Sequence, residues 1–292
     1  MFRRSPVVRL ADGRLLVLDQ ELLIDRVFGW WPMLDIKKPP NGRPADKARS
    51  DAAEGCLRHL TEVAVTEVLS SIAGAGTARR MYGDAELRAA FPGQGQKITD
   101  AVIDYGDAWV LVEVTAVRLR QNSVNAASEQ AQIDDMDKLV KKARQIDATI
   151  RALKKREHQL TGLRPAHRKT FYPVLVMAEG FPANPVTLTV LRERVRKAGL
   201  LTGAGITPLE ILDAEEVEMI EALQGTGGPG LREILEGKRN ADLYRASVRD
   251  YIIRERGLNP RRPRRLEPLW ESILDAAARR HQAIASQDET DA

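Results

Sequence analysis

Apolar positions recur at three- and four-residue steps from Leu57 through Leu60, Val63, Ala64 and Val68 to Ile72, which predicts a helix over 50–73. Ser50 or Asp51 can cap its start, and Gly74 and Gly76 end it. Two apolar runs follow, at 97–105 and 108–117, with Gly106-Asp107 between them. They read as the two strands of a tight hairpin. A single stripe formed by Ile133, Met136, Leu139, Val140, Ala143, Ile146, Ile150 and Leu153 predicts an amphipathic helix over 126–156. Val174 to Met177 predict a short buried strand, 186–200 a helix, 207–212 a strand and 214–224 a helix. Helices interleaved with strands in this order predict an α/β sandwich with a central mixed sheet flanked by helices.

Outside that core the pattern weakens. Residues 1–49 read as an N-terminal extension, with a short strand at 15–17, an apolar turn at 29–32 and a Pro/Gly-rich loop at 38–47. The breaker run 225–230 predicts a boundary, and helical stretches near 230–237, 240–256 and 266–286 form a C-terminal extension. The expected organisation is therefore 1–49, 50–224 and 230–286, with polar frayed residues at the end.

Composition narrows the classes of function. The 292 residues are 43% hydrophobic, enough for a core, and only 5% aromatic, which does not suggest a base-stacking surface. The formal net charge is +4, so distribution matters more than the total. Residues 238–265 hold ten Lys or Arg against three acids, densest at Arg261, Arg262, Arg264 and Arg265. Such a patch can bind phosphates in a salt-dependent way, or serve as a solvated helix face and charged loop. Cys56 is the single cysteine, so an internal disulfide and a thiolate zinc cluster are excluded. Its place in an apolar-periodic segment predicts a buried, inert thiol. No apolar run reaches membrane-spanning length and the start lacks a secretory pattern, so a soluble cytoplasmic protein is expected. The four histidines show no ligand spacing, and no nucleotide loop or nucleophilic triad is visible.

The hairpin carries the chemistry. With Gly106-Asp107 as the loop, Tyr105 pairs with Ala108, Asp104 with Trp109, Val102 with Leu111 and Asp100 with Glu113. Side chains alternate faces, so Asp100 and Glu113 lie opposite one another on one face, with Cβ atoms about 4.5–5.5 Å apart. Two like charges so placed repel unless a divalent cation joins them or both are hydrated where the strands end. Asp104 shares that face but stands too far along the strand to join the same ion, and reads as a turn-flanking acid.

Asp100, then Glu113-Val114-Thr115 one strand later, resembles the signature of the PD-(D/E)xK, or restriction-endonuclease-like, nuclease superfamily. The earlier segment from Gly55 through Leu60, Glu62, Val65 and Val68 is similar to that family's first core helix, whose Glu often joins the metal site. The resemblance covers about 50–179 and implies a restriction-endonuclease-like sandwich. It also implies a Mg²⁺- or Mn²⁺-dependent phosphodiester hydrolase acting on nucleic acid, DNA above all, in a defence or mobile-element setting. Asp100, Glu113 and Glu62 would hold the metal. Thr115 departs from the pattern, because the family's Lys stands there beside the metal.

Two readings follow from that departure. In the first, a cation arrives from the following helix, where Lys142 sits at the edge of the apolar stripe, with Gln145 nearby and Arg118 and Arg120 past the second strand as phosphate contacts. Each of these is otherwise an ordinary flanking or strand-end polar residue. Alternatively the domain keeps the fold without cleavage, as a nucleic-acid-binding or protein-interaction module. A homodimer or a partner protein is compatible with either.

Overall fold

The computed structural model describes residues 7–18, 23, 35–36, 46–93, 98–115, 129–163, 168–178, 183–261 and 263–290. The apolar turn at 29–32 and most of the 38–47 loop lie outside them. The chain divides into two compact units, Met1–Leu60 and Thr61–Ala292.

In the first unit, strands β1 (Val7–Arg9) and β2 (Leu15–Val17) pair antiparallel, Val8 opposite Leu16. Cys56, expected to be buried, is exposed. Helix α1 (Lys47–Ala75) contains the predicted 50–73 span. Its buried stripe differs in phase from the expected one: Val65, Val68, Leu69 and Ile72 are buried, whereas Leu60 and Val63 are exposed. Apolar residues are spread over more than one face of this helix, so the sequence alone does not select the face that packs.

The second unit is built on a five-stranded mixed sheet, order β3-β4-β5-β6-β7. The strands are β3 (Arg80–Gly83), β4 (Ala101–Asp104), β5 (Ala108–Thr115), β6 (Thr170–Met177) and β7 (Glu210–Asp213). β3, β4 and β5 run antiparallel; β6 and β7 run parallel to β5. The connections between strands supply α2 (Asp84–Ala90), α3 (Glu129–Thr161) and α4 (Pro185–Lys197), and α5 (Ala214–Gly225) and α6 (Leu231–Arg239) follow β7. Alternate strand residues feed two cores. Ile103, Val110, Val112 and Val174 pack with α1, α5 and α6, while Val102, Leu111, Leu175 and Ile211 pack with α3 and α4. The sheet is thus covered on both faces, and β5 is buried along its whole length, as expected for a central strand.

The predicted boundary at 225–230 is not a break in packing. Leu231, Ile234, Leu235, Val248, Tyr251 and Ile252 join the same core as the strands. The breaker residues make a turn between α5 and α6, and the helix after it supplies core side chains. The helix expected at 240–256 is reduced to Val248–Asp250 and a π-helical turn, Tyr251–Glu255. Ser247 Oγ accepts from the Asp250 amide at 2.9 Å and restarts the helix there. Helix α7 (Glu267–Thr290) follows. Among the described residues no helix is long and apolar enough to cross a membrane.

Candidate active site

The β4–β5 hairpin has the expected register. Tyr105 donates to the Ala108 carbonyl at 2.9 Å, Asp104 lies opposite Trp109, and Ala101 opposite Val112. Gly106 turns the chain with a φ of 88°, a conformation open to glycine. One step beyond the Ala101–Val112 pair, Asp100 faces Glu113.

Local bonds fix both acids. β4 begins only at Ala101, so the Val114 amide is left for the Asp100 side chain, which accepts it at 2.7 Å. Thr99 is fully buried and clips this approach to its neighbours. Its hydroxyl donates to the Val112 carbonyl at 2.6 Å, and its amide donates to Thr149 Oγ1 of α3 at 3.0 Å. Glu113 stands on the face covered by α3 and is 0% exposed. Lys142 reaches it from α3, with Nζ 2.6 Å from Oε1, while keeping a side chain 28% exposed. Glu113 Oε2 is buried and has no hydrogen-bond partner among the described residues.

This environment holds protons. Burial pushes the Glu113 carboxyl up to about 7, the charge of Asp100 adds to that, and Lys142 opposes it. Burial likewise pushes Asp100 up to about 6, against the Val114 amide and Lys142, with Glu62 and Asp84 adding repulsion. Two facing carboxyls that both resist ionisation, one with an unsatisfied buried oxygen, have the chemistry to take a divalent cation between them. Asp100 and Glu113 would hold it, with hydroxyl, water or phosphate oxygens completing a hard-oxygen shell. Glu62, half-buried on α1, acts on the pair through its charge. Among the described residues no three His, Cys, Asp or Glu side chains are gathered into a ready ligand set.

The other expected residues divide. Thr115 is buried two residues beyond Glu113 on the same side of β5. Gln145 is half-buried one turn after Lys142, its carbonyl accepting from Thr149 Oγ1 at 3.0 Å. Arg118, Arg120 and Arg262 lie outside the described residues. Arg261 and Arg264 are exposed. Arg265 is not free for phosphate: it pairs with Glu221 at 2.9 Å and Glu218 at 2.8 Å on α5. Lys238, counted with the basic segment, is 1% exposed and pairs with Glu210 at 2.9 Å. Asp104 does more than flank the turn. It accepts the Gly106 amide at 2.7 Å and pairs with Lys169 at 3.0 Å.

Sequence reasoning missed the Thr99–Thr149 clip and the contribution of Asp84. No local pattern marks the first, since its partners are separated by 50 residues. Asp84 stands in the first turn of a short helix that the periodicity did not reveal. No protein-family model matches the chain, and no curated protein matches its sequence.

Proposed function

We propose that the chain is a Mg²⁺- or Mn²⁺-dependent nuclease of the PD-(D/E)xK type, hydrolysing phosphodiester bonds in DNA. The observation that carries this reading is the buried Glu113, opposite Asp100, with Lys142 on one carboxylate oxygen and no partner for the other among the described residues. The order α1, β4, β5, α3 and β6 agrees with the core order that the resemblance implies.

A bound cation would supply Lewis acidity and an acidified water at neutral pH. The protein's own residues would do the rest. Asp100 is oriented by the Val114 amide, so one oxygen is fixed and its carboxylate cannot swing away. Lys142 brings positive charge to the face where Thr115 has none, and its partial exposure lets the Nζ reach a phosphate oxygen. Thr115 can donate or accept a hydrogen bond but cannot offset phosphate charge.

Plasmid and single-stranded DNA incubated with Mg²⁺ or Mn²⁺ test the reading. The wild type is expected to cut and Glu113→Ala to lose at least about 100-fold in rate. Thr115 favours a second reading, a nucleic-acid-binding module that no longer cleaves. Metal-independent DNA binding by a wild type that cuts neither substrate would establish that reading in place of the first.

A further inference from the structure

A cleft separate from the acid pair lies beside the amino end of β7. It is walled by α4, by the 198–209 loop and by Tyr244-Arg245, and its volume is about 470 Å³. That falls in the range of small-molecule sites. Val195, Leu200 and Leu209 form a buried apolar floor, and Leu201 and Ile206 a half-buried wall.

The rim is cationic. Arg196 is matched by Glu193 at 2.8 Å. Arg192 is not matched in the same way, because it shares the single carboxylate of Glu210 with the buried Lys238, at 3.2 and 2.9 Å. Two cations on one carboxylate leave a positive excess. Arg192 is held rigid by Nε donation to the Leu209 carbonyl at 2.8 Å and Nη1 donation to the Tyr244 carbonyl at 3.1 Å. Arg245 stacks its guanidinium 4.9 Å from the Tyr244 ring centre, and no carboxylate pairs with it among the described residues. A second, smaller cavity of about 120 Å³ is lined in part by the same Arg192, Pro208 and Tyr244.

The wall is held under strain. Leu201 has a φ of 54°, the one described non-glycine residue with a positive φ. A non-glycine side chain is disfavoured in this conformation. The conformation is fixed from α3: Asp147 Oδ1 accepts the Leu201 amide at 3.0 Å, and Lys154 Nζ donates to the Ala204 carbonyl at 3.0 Å. Glycine would relieve the strain but would remove an isobutyl group from the cleft wall. Strain maintained at a cavity wall is a mark of a binding surface.

We propose that this cleft binds a small amphipathic anion, with an aromatic or aliphatic body on the Leu200–Leu201–Ile206–Leu209 wall and an acidic group at Arg192 and Arg245. The site is independent of the acid pair and of any nuclease activity.

The test is calorimetric titration of the full chain with 8-anilinonaphthalene-1-sulfonate and with neutral N-phenyl-1-naphthylamine. Wild type is expected to take one sulfonate per chain, about tenfold or more tighter than the neutral compound. Arg245→Glu is expected to erase that preference while leaving the neutral compound's affinity in place. Thr202→Trp, at an exposed rim position, is expected to block both. Circular dichroism confirms that each variant is folded. Absence of saturable binding overturns the proposal. So does equal affinity for the two compounds, or sulfonate binding that survives both substitutions, which would place the probe on exposed apolar side chains such as Leu269 and Ile273.

Discussion

Asp100 and Glu113 sit in conflict with their surroundings, and the sign of that conflict gives a pH dependence. Their folded pKa values, about 6 and about 7, lie above the ordinary carboxyl values of 3.8 and 4.5. Between those limits the folded protein holds protons that the unfolded chain has released. Stability from these groups is therefore present at low pH and is lost as pH rises through 6 to 7. A divalent cation held by the pair, as proposed, would reverse the trend, because it would compete with the same protons and bind best once they have left. Melting curves without metal are expected to show a lower Tm at pH 8 than at pH 5.5 from this pair, and added Mn²⁺ should raise Tm more at pH 8. Asp100→Asn keeps an acceptor for the Val114 amide and removes the repulsion. It should stabilise the metal-free protein at pH 8 by about 1–2 kcal/mol and abolish the Mn²⁺ shift. Denaturant titration with and without Mn²⁺ measures both, and an undiminished Mn²⁺ shift in the variant would remove Asp100 from the ligand set.

At the scale of elements, what could be read in advance followed from local rules. The register that opposes Asp100 to Glu113 needs only a two-residue loop and a period of two. Lys142 follows from its angle to the apolar stripe of α3. β3 was not visible because only Tyr82 among its four residues is buried, and its identity as a strand comes from pairing with β4. The paired state of Arg265 was equally hidden, since its acids are 44 and 47 residues away on α5.

The far end of the hairpin depends on another long-range arrangement. Lys169 lies 3.0 Å from Asp104 and 2.5 Å from Glu157, with its Nζ 4.5 Å from the Trp109 ring centre. All three charged side chains are below 10% exposed. Lys169→Ala leaves two buried acids without their shared cation and should cost about 3–5 kcal/mol. Urea unfolding at pH 7 measures it; a cost below about 1 kcal/mol would mean that water reaches these acids freely.

For the molecule as a whole, the question is where the C-terminal region stops being part of the core. The glycine-rich turn at 225–230 looks like a boundary, yet Leu231, Ile234, Leu235, Val248, Tyr251 and Ile252 lie in the core shared with α1, α5 and the sheet. Each large side chain contributes about 1.5–3 kcal/mol by burial, so the six together contribute on the order of 10 kcal/mol. That equals the net stability of an ordinary domain, about 5–15 kcal/mol. A chain ended after Gly225 should therefore fail to fold. Helix α7 differs: Leu269, Trp270, Ile273 and Leu274 are all exposed, and the Arg265 pairs with α5 are partly exposed and contribute little. A chain ended after Pro260 should keep a cooperative melt within a few degrees of the full protein. If nucleic-acid affinity depends on Arg261 and Arg264, that chain should also bind DNA more weakly and with a shallower salt dependence. Equal melting of the two truncations would show that residues 226–260 are not integral to the core. Unchanged salt dependence in the longer one would assign phosphate contact to cations elsewhere.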